Sequence, residues 1–87
     1  GGDSPEDILA ANSLREEIFK GMSNLPEEIR TAVTLREFEG LSYEEIASII
    51  DCPLGTVRSR IFRGRELLQK AISEENGYKK KEVNKYD

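Results

Sequence analysis

LSYEEIASIIDCPLGTVRSRIFRGRELL, residues 41–68, reads as two helices joined by a tight turn, and the rest of the chain is arranged to hold that pair. Ser42 and Glu45 form an S-x-x-E capping box, in which each side chain satisfies a backbone N–H of the first turn, and Leu41 and Ile46 occupy the positions of a hydrophobic staple. A helix therefore begins beside Ser42. It stops early, because Cys52 precedes a proline and is pushed toward extended geometry, while Pro53 suits a helix start and not a helix interior. The second helix is expected to open between Pro53 and Thr56.

That second helix carries the main functional clue. At about 100° per residue, with Arg58 at zero, Leu54, Val57, Ile61, Gly64, Leu68 and Ile72 fall within roughly 240–320°, a stripe that faces a core. Gly55, Arg58, Ser59, Phe62, Arg63 and Glu66 occupy the other side, centred near about 70°. Two arginines, a hydroxyl and an aromatic ring thus share a face that packing does not need. A guanidinium on a helix can make paired hydrogen bonds to guanine in the major groove. A solvated arginine face that happens to include one phenylalanine is the competing reading at this point.

Charge supports a localised interaction. The chain of 87 residues has a net charge of −4, which by itself disfavours nucleic acid. Residues 1–50, however, hold 4 basic and 11 acidic side chains, a balance of −7, whereas residues 51–87 hold 9 and 6, a balance of +3. Between Leu54 and Lys70 the basic residues Arg58, Arg60, Arg63, Arg65 and Lys70 face only Glu66. A basic face on an acidic body favours docking in one orientation over general coating of DNA.

Composition excludes much else. The chain contains no histidine and one cysteine, Cys52, so neither an intrachain disulfide nor a zinc site is expected; Cys52 is expected to fill a small apolar gap. No glycine-rich phosphate loop appears, the carboxylates fall mostly in helix first turns or on solvent faces, and Ser59 has no adjacent base, so no catalytic residue, cofactor or metal site is expected. Neither a signal peptide nor an apolar run of bilayer-spanning length is present, and a cytoplasmic protein is expected.

Around residues 41–68 the remaining chain supplies supports. Asp3 or Ser4 can cap a first helix with Pro5 at its first position and acidic Glu6 and Asp7 beside it; Ile8, Ala11, Leu14, Ile18, Phe19 and Met22 form a stripe expected to enter the core. Pro26 is placed at the first position of a second helix that ends at Gly40 and is apolar on two flanks, so it is expected between the first helix and the turn-linked pair. The third helix turns Ile46, Ala47 and Ile50 inward and leaves Tyr43, Glu44 and Ser48 more exposed; Ala47 and Gly64 permit close helix approach. The fold class expected is all-α: a four-helix domain containing a helix-turn-helix over residues 3–74, with a mobile charged tail over 75–87.

LPEEIRTAVTLREFEGLSYEEIASIIDCPLGTVRSRIFRGRELL resembles conserved region 4 of the extracytoplasmic-function sigma factors, especially the sigma-E type, over about Leu25 to Ile72. The block DCPLGTVRSRIFRGR is specific to these factors among helix-turn-helix proteins. Asp51 stands where helix-turn-helix turns often hold glycine. The resemblance implies recognition of the promoter minus-35 element, docking on the beta-subunit flap of RNA polymerase, and control by an anti-sigma factor. It places base and groove contacts on Arg58, Ser59, Phe62 and Arg63, and DNA backbone contacts on Arg36, Tyr43, Gly55, Thr56, Arg60 and Arg65. The effector domain of a response regulator and a protein-interaction module with an arginine-rich face are the alternatives. Neither accounts for the DCPLGTVRSRIFRGR block as directly.

Overall fold

The computed structural model describes residues 4–75, which form helix α1 over Pro5–Ser23, α2 over Glu27–Val33 continued by a π-helical turn over Thr34–Phe38, α3 over Tyr43–Ile50 and α4 over Leu54–Glu75. The start of α1 follows its sequence: Ser4 accepts a hydrogen bond from the Asp7 N–H at 3.1 Å, Pro5 opens the helix, and Glu6 and Asp7 face its positive end. The charged tail expected from residue 75 onward lies, from residue 76, outside the described residues. Helix α4 runs past Ile72 to Glu75, because serine and glutamate are tolerated in a last turn and no glycine or proline intervenes before Gly77.

The second helix departs from expectation in two ways. Pro26 is its N-cap, not its first residue: its ψ of 146° is extended, while its carbonyl already accepts the Arg30 N–H at 2.8 Å. The helix also widens before it ends. Glu39 N–H bonds to the Thr34 carbonyl five residues back, at 3.1 Å, which defines the π turn. Gly40 follows with φ +72°, in the left-handed region, and reverses the chain so that Leu41 N–H reaches the Leu35 carbonyl at 3.1 Å.

The capping box at α3 is complete. Ser42 N–H donates to Glu45 Oε1 at 2.8 Å and Glu45 N–H donates to Ser42 Oγ at 3.0 Å. Those bonds hold the Glu45 carboxyl below its ordinary pKa, the backbone donor contributing most. Asp51 ends α3 in the left-handed region, φ 55° and ψ 54°, and its place in the turn explains why glycine is favoured there. The Cys52 N–H closes the turn on the Ala47 carbonyl at 3.1 Å.

Two apolar clusters meet along α2 and α4. Ala32, Ile46, Val57 and Ile61 are fully buried in the first, with Leu35, Leu41, Tyr43, Ala47, Ile50 and Cys52 around them. Met22, Leu25 and Val33 form the second, with Ile18, Ile29, Leu67 and Leu68. Adjacent residues Ala32 and Val33 thus serve different clusters, and α2 does lie between neighbours. Its neighbour in the second cluster is chiefly α4, however, and α1 rests on the C-terminal half of α4 more than on α2. Two glycines set these approaches. A Cβ on Gly64 would overlap Val33 Cγ2 and come within 2.9 Å of Ile29 Cγ2; one on Gly21 would come within 2.8 Å of Leu68 Cδ2.

The expected core stripe of α1 is buried only at its end. Met22 is buried and Ile18 partly so, but Ala11 is exposed, and Ile8, Leu14 and Phe19 are 49%, 46% and 62% exposed. Periodicity identified the apolar side correctly, yet α4 meets α1 only near Gly21 and Met22. The N-terminal half extends past its support. Tyr43 departs in the opposite sense, being half-buried against the first cluster and not on the open face of α3.

Candidate nucleic-acid interface

The open face of α4 is held at a fixed angle by its buried one. Val57 and Ile61 anchor the helix in the first cluster and Gly64 lets it settle on α2, leaving Arg58, Ser59, Phe62 and Arg63 exposed together on the opposite side. Phe62 is 55% exposed, so its ring stands among the polar side chains of this face. All four residues expected to touch bases therefore share one solvent-facing surface. Arg63 Nη1 lies 3.5 Å from Glu66 Oε1, three residues on, a loose contact between exposed groups that leaves the guanidinium free to turn outward.

The N-terminus of α4 points its free donors toward the same surface. Helices α1, α2 and α3 each carry acidic residues in the first turn, but α4 carries none. Its positive end is thus left uncompensated by carboxylates, a setting suited to phosphate. Thr56 and Val57 N–H groups are spent on the Pro53 carbonyl, at 3.0 and 3.2 Å, so the donors available to an anion are those of Leu54 and Gly55, which by position have no intrahelical acceptor. Gly55 is exposed and has open space where a Cβ would stand. Thr56 is half-buried beside it.

The other residues expected to touch the DNA backbone already have partners. Arg36 donates from Nη1 to the Leu41 carbonyl at 2.8 Å and lies over the Tyr43 ring, 4.8 Å from its centroid. Arg60 is bound on one side to Glu28 Oε2 at 3.0 Å and on the other to Cys52 Sγ at 3.4 Å, with its side chain only 25% exposed. Cys52 fills its gap half-buried, as expected, but also anchors this arginine. Arg65 donates from Nε to Glu37 Oε2 at 2.9 Å and contacts the same oxygen through Nη2; the pair favours the charged guanidinium further. Among the described residues, Arg58 has no carboxylate partner.

Glu28 and Glu37 are the functional neighbours that sequence reading missed. They lie 32 and 28 residues from the arginines they bind, and no local spacing announces such pairs. Glu66, three residues after Arg63, was legible as a helical neighbour.

A short, capped helix, a left-handed turn residue and a second helix with its polar arginine face open define a helix-turn-helix DNA-binding unit. The sequence profile of sigma-70 region 4 matches residues 15–68. Over 70 residues the chain is 56% identical to the ECF RNA polymerase sigma-E factor of Haemophilus influenzae, covering 80% of this chain and 37% of that protein. It is 54% identical over 69 residues to the proteins of the same name from Escherichia coli K12 and Salmonella typhimurium LT2, covering 79% of this chain and 36% of theirs. The chain belongs to the sigma-70 region 4 family and is the DNA-binding domain of an extracytoplasmic-function sigma factor. It spans a little over a third of the length of these relatives.

Proposed function

We propose that residues 3–74 recognise the promoter minus-35 element while seated on RNA polymerase, as one domain of a longer sigma factor acting in the cytoplasm. The observation that carries this reading is the joint exposure of Arg58, Ser59, Phe62 and Arg63 on a helix whose opposite face is buried at Val57, Ile61 and Gly64. In the Mechanism this implies, phosphates meet the N-terminus of α4 at Leu54, Gly55 and Thr56 and fix the register; Arg58 and Arg63 then read guanine edges, with Ser59 and Phe62 completing the groove contacts. Binding, not bond-making, is its whole chemistry, and no cofactor enters it.

The seat on polymerase is supported by a second surface. Ala11, Leu14, Arg15, Ile18 and Phe19 of α1 and Phe38 of the π turn line an open, largely apolar groove that includes none of Arg58, Ser59, Phe62 and Arg63. A groove of that kind suits an apolar segment of the beta-subunit flap, so DNA and polymerase would engage different sides of the domain. An anti-sigma factor is the further partner that the family implies. Among the described residues no helix is long and apolar enough to cross a membrane.

Fluorescence anisotropy with a labelled duplex carrying a family-type GGAAC minus-35 element, compared with a scrambled duplex over a salt series, tests the reading. Preferential binding that weakens as salt rises is expected. Equal affinity for both duplexes would remove the assignment to that element. Absence of binding at low salt, persisting after the beta flap is added, would overturn the DNA reading of the arginine face.

A further inference from the structure

Arg65 lies at the edge of the reading face, about 20° from Arg58 around the α4 axis and two turns farther along it. Its guanidinium is occupied by Glu37, whose Oε2 accepts from both Nε and Nη2. Tyr43 adds to the field around the same guanidinium, and Arg36 stacks on that tyrosine with its charge 4.8 Å from the ring centroid. One cation with a phenol beside it therefore meets a carboxylate delivered by the π turn. The pair stays accessible, with Arg65 51% and Glu37 40% exposed at the side chain. A guanidinium offering two N–H groups to one oxyanion presents to a carboxylate the same fork that it presents to phosphate.

Resting on the reading that α4 docks on DNA, we propose that the Glu37 carboxylate is an internal stand-in for a DNA backbone phosphate, displaced from Arg65 when the domain docks. Both N–H groups of the Arg65 fork are spent on one Glu37 oxygen, so a phosphate engages the fork only by displacing the carboxylate. Every docking event must break the pair. Glu37 thereby lowers affinity for every duplex by a like factor although it touches no base. Arg60 differs: its guanidinium is tied to Cys52 as well as Glu28 and is less exposed, which makes it a brace between α4 and the start of α2.

The test compares the unmodified chain with Glu37→Gln, Arg65→Ala and the double variant on specific and scrambled duplexes over a salt series, with Glu39→Gln as a control that removes a nearby exposed charge. Glu37→Gln is expected to tighten binding to both duplexes by about threefold, in the range of one exposed ion pair, and Arg65→Ala to flatten the salt slope by about 0.9, the release expected for one lost phosphate contact. The gain should vanish in the Arg65→Ala background and should exceed that of Glu39→Gln. An unchanged salt slope in Arg65→Ala would overturn the proposal, as would an equal gain from Glu37→Gln with Arg65 absent, since the first result leaves Arg65 without a phosphate and the second makes Glu37 a general negative charge. If the unmodified chain shows no salt-dependent binding, the underlying DNA-docking reading fails, and this is distinguished by that control alone.

Discussion

The unit formed by α2, α3 and the first half of α4 closes around its core, whereas the N-terminal half of α1 leaves its apolar residues in the open. Ala32, Val33, Ile46, Val57 and Ile61 are each at most 1% exposed; Ile8 and Leu9 are 49% and 66% exposed. Both regions show helical apolar spacing. What separates them is the opposing surface: α4 presents Gly64 to α2 and Leu68 and Ala71 to Gly21, whereas Ile8, Leu9 and Leu14 stay exposed. An apolar stripe reports which side of a helix avoids water, and only the neighbouring element decides whether it succeeds. The open half therefore contributes little to folding and is available to a partner.

Substitutions can break that contrast or sharpen it. Gly64→Leu should do the most damage, forcing a side chain into Val33 and Ile29 at the close approach of α4 and α2, with an expected loss of about 3 kcal/mol and a clear fall in melting temperature. An unchanged melting curve would mean that the closed half is not closed at that point. Arg63→Ala acts on the face instead of the core: about 1–3 kcal/mol should be lost on the preferred duplex, with relaxed preference at one base pair and unaltered melting. Asp51→Gly should relieve the left-handed turn and stabilise the chain by up to about 1 kcal/mol, read as a rise in melting temperature. On the open side of α1, Phe19→Ser should shift folding stability by no more than about 0.5 kcal/mol, the scale of a surface change, while weakening capture by the beta flap. A large loss of stability there would erase the distinction between the halves.

The smallest effect is expected from acid. Because hydrogen bonds from Ser42 lower the Glu45 pKa in the folded chain, the contribution of this carboxylate is present in full above the usual glutamate range and declines as pH falls through the lowered folded value. Melting of the unmodified chain and of Glu45→Ala should therefore converge at low pH. Divergence there would show that the capping box does not depend on the carboxylate.

Much of the closed half was legible because its signals are local. The Ser42–Glu45 box, the Pro53 break, the inward Val57 and Ile61, and the small Ala47 and Gly64 each declare a backbone state or packing constraint within a few residues. The grouping of Arg58, Ser59, Phe62 and Arg63 followed from the same periodicity. The π turn did not, since Thr34–Phe38 has ordinary helix formers and its widening depends on how α2 meets α3. Nor did the carboxylates on Arg60 and Arg65, because their pairing is a product of the tertiary arrangement.

The π turn also changes the arithmetic of insertion and deletion. A π-helical turn accommodates one residue more than an α-helical turn spanning the same hydrogen-bonded interval. Removing one residue from Thr34–Phe38 would let α2 continue as an ordinary helix with the chain beyond it nearly in phase, whereas one residue lost from Glu27–Val33 with the wide turn kept would rotate Glu37 and Phe38 by about 100° around the axis. The second deletion would move the Arg65 partner and the groove-lining ring together, although they serve different surfaces. Length in this segment is a shared coordinate of both surfaces.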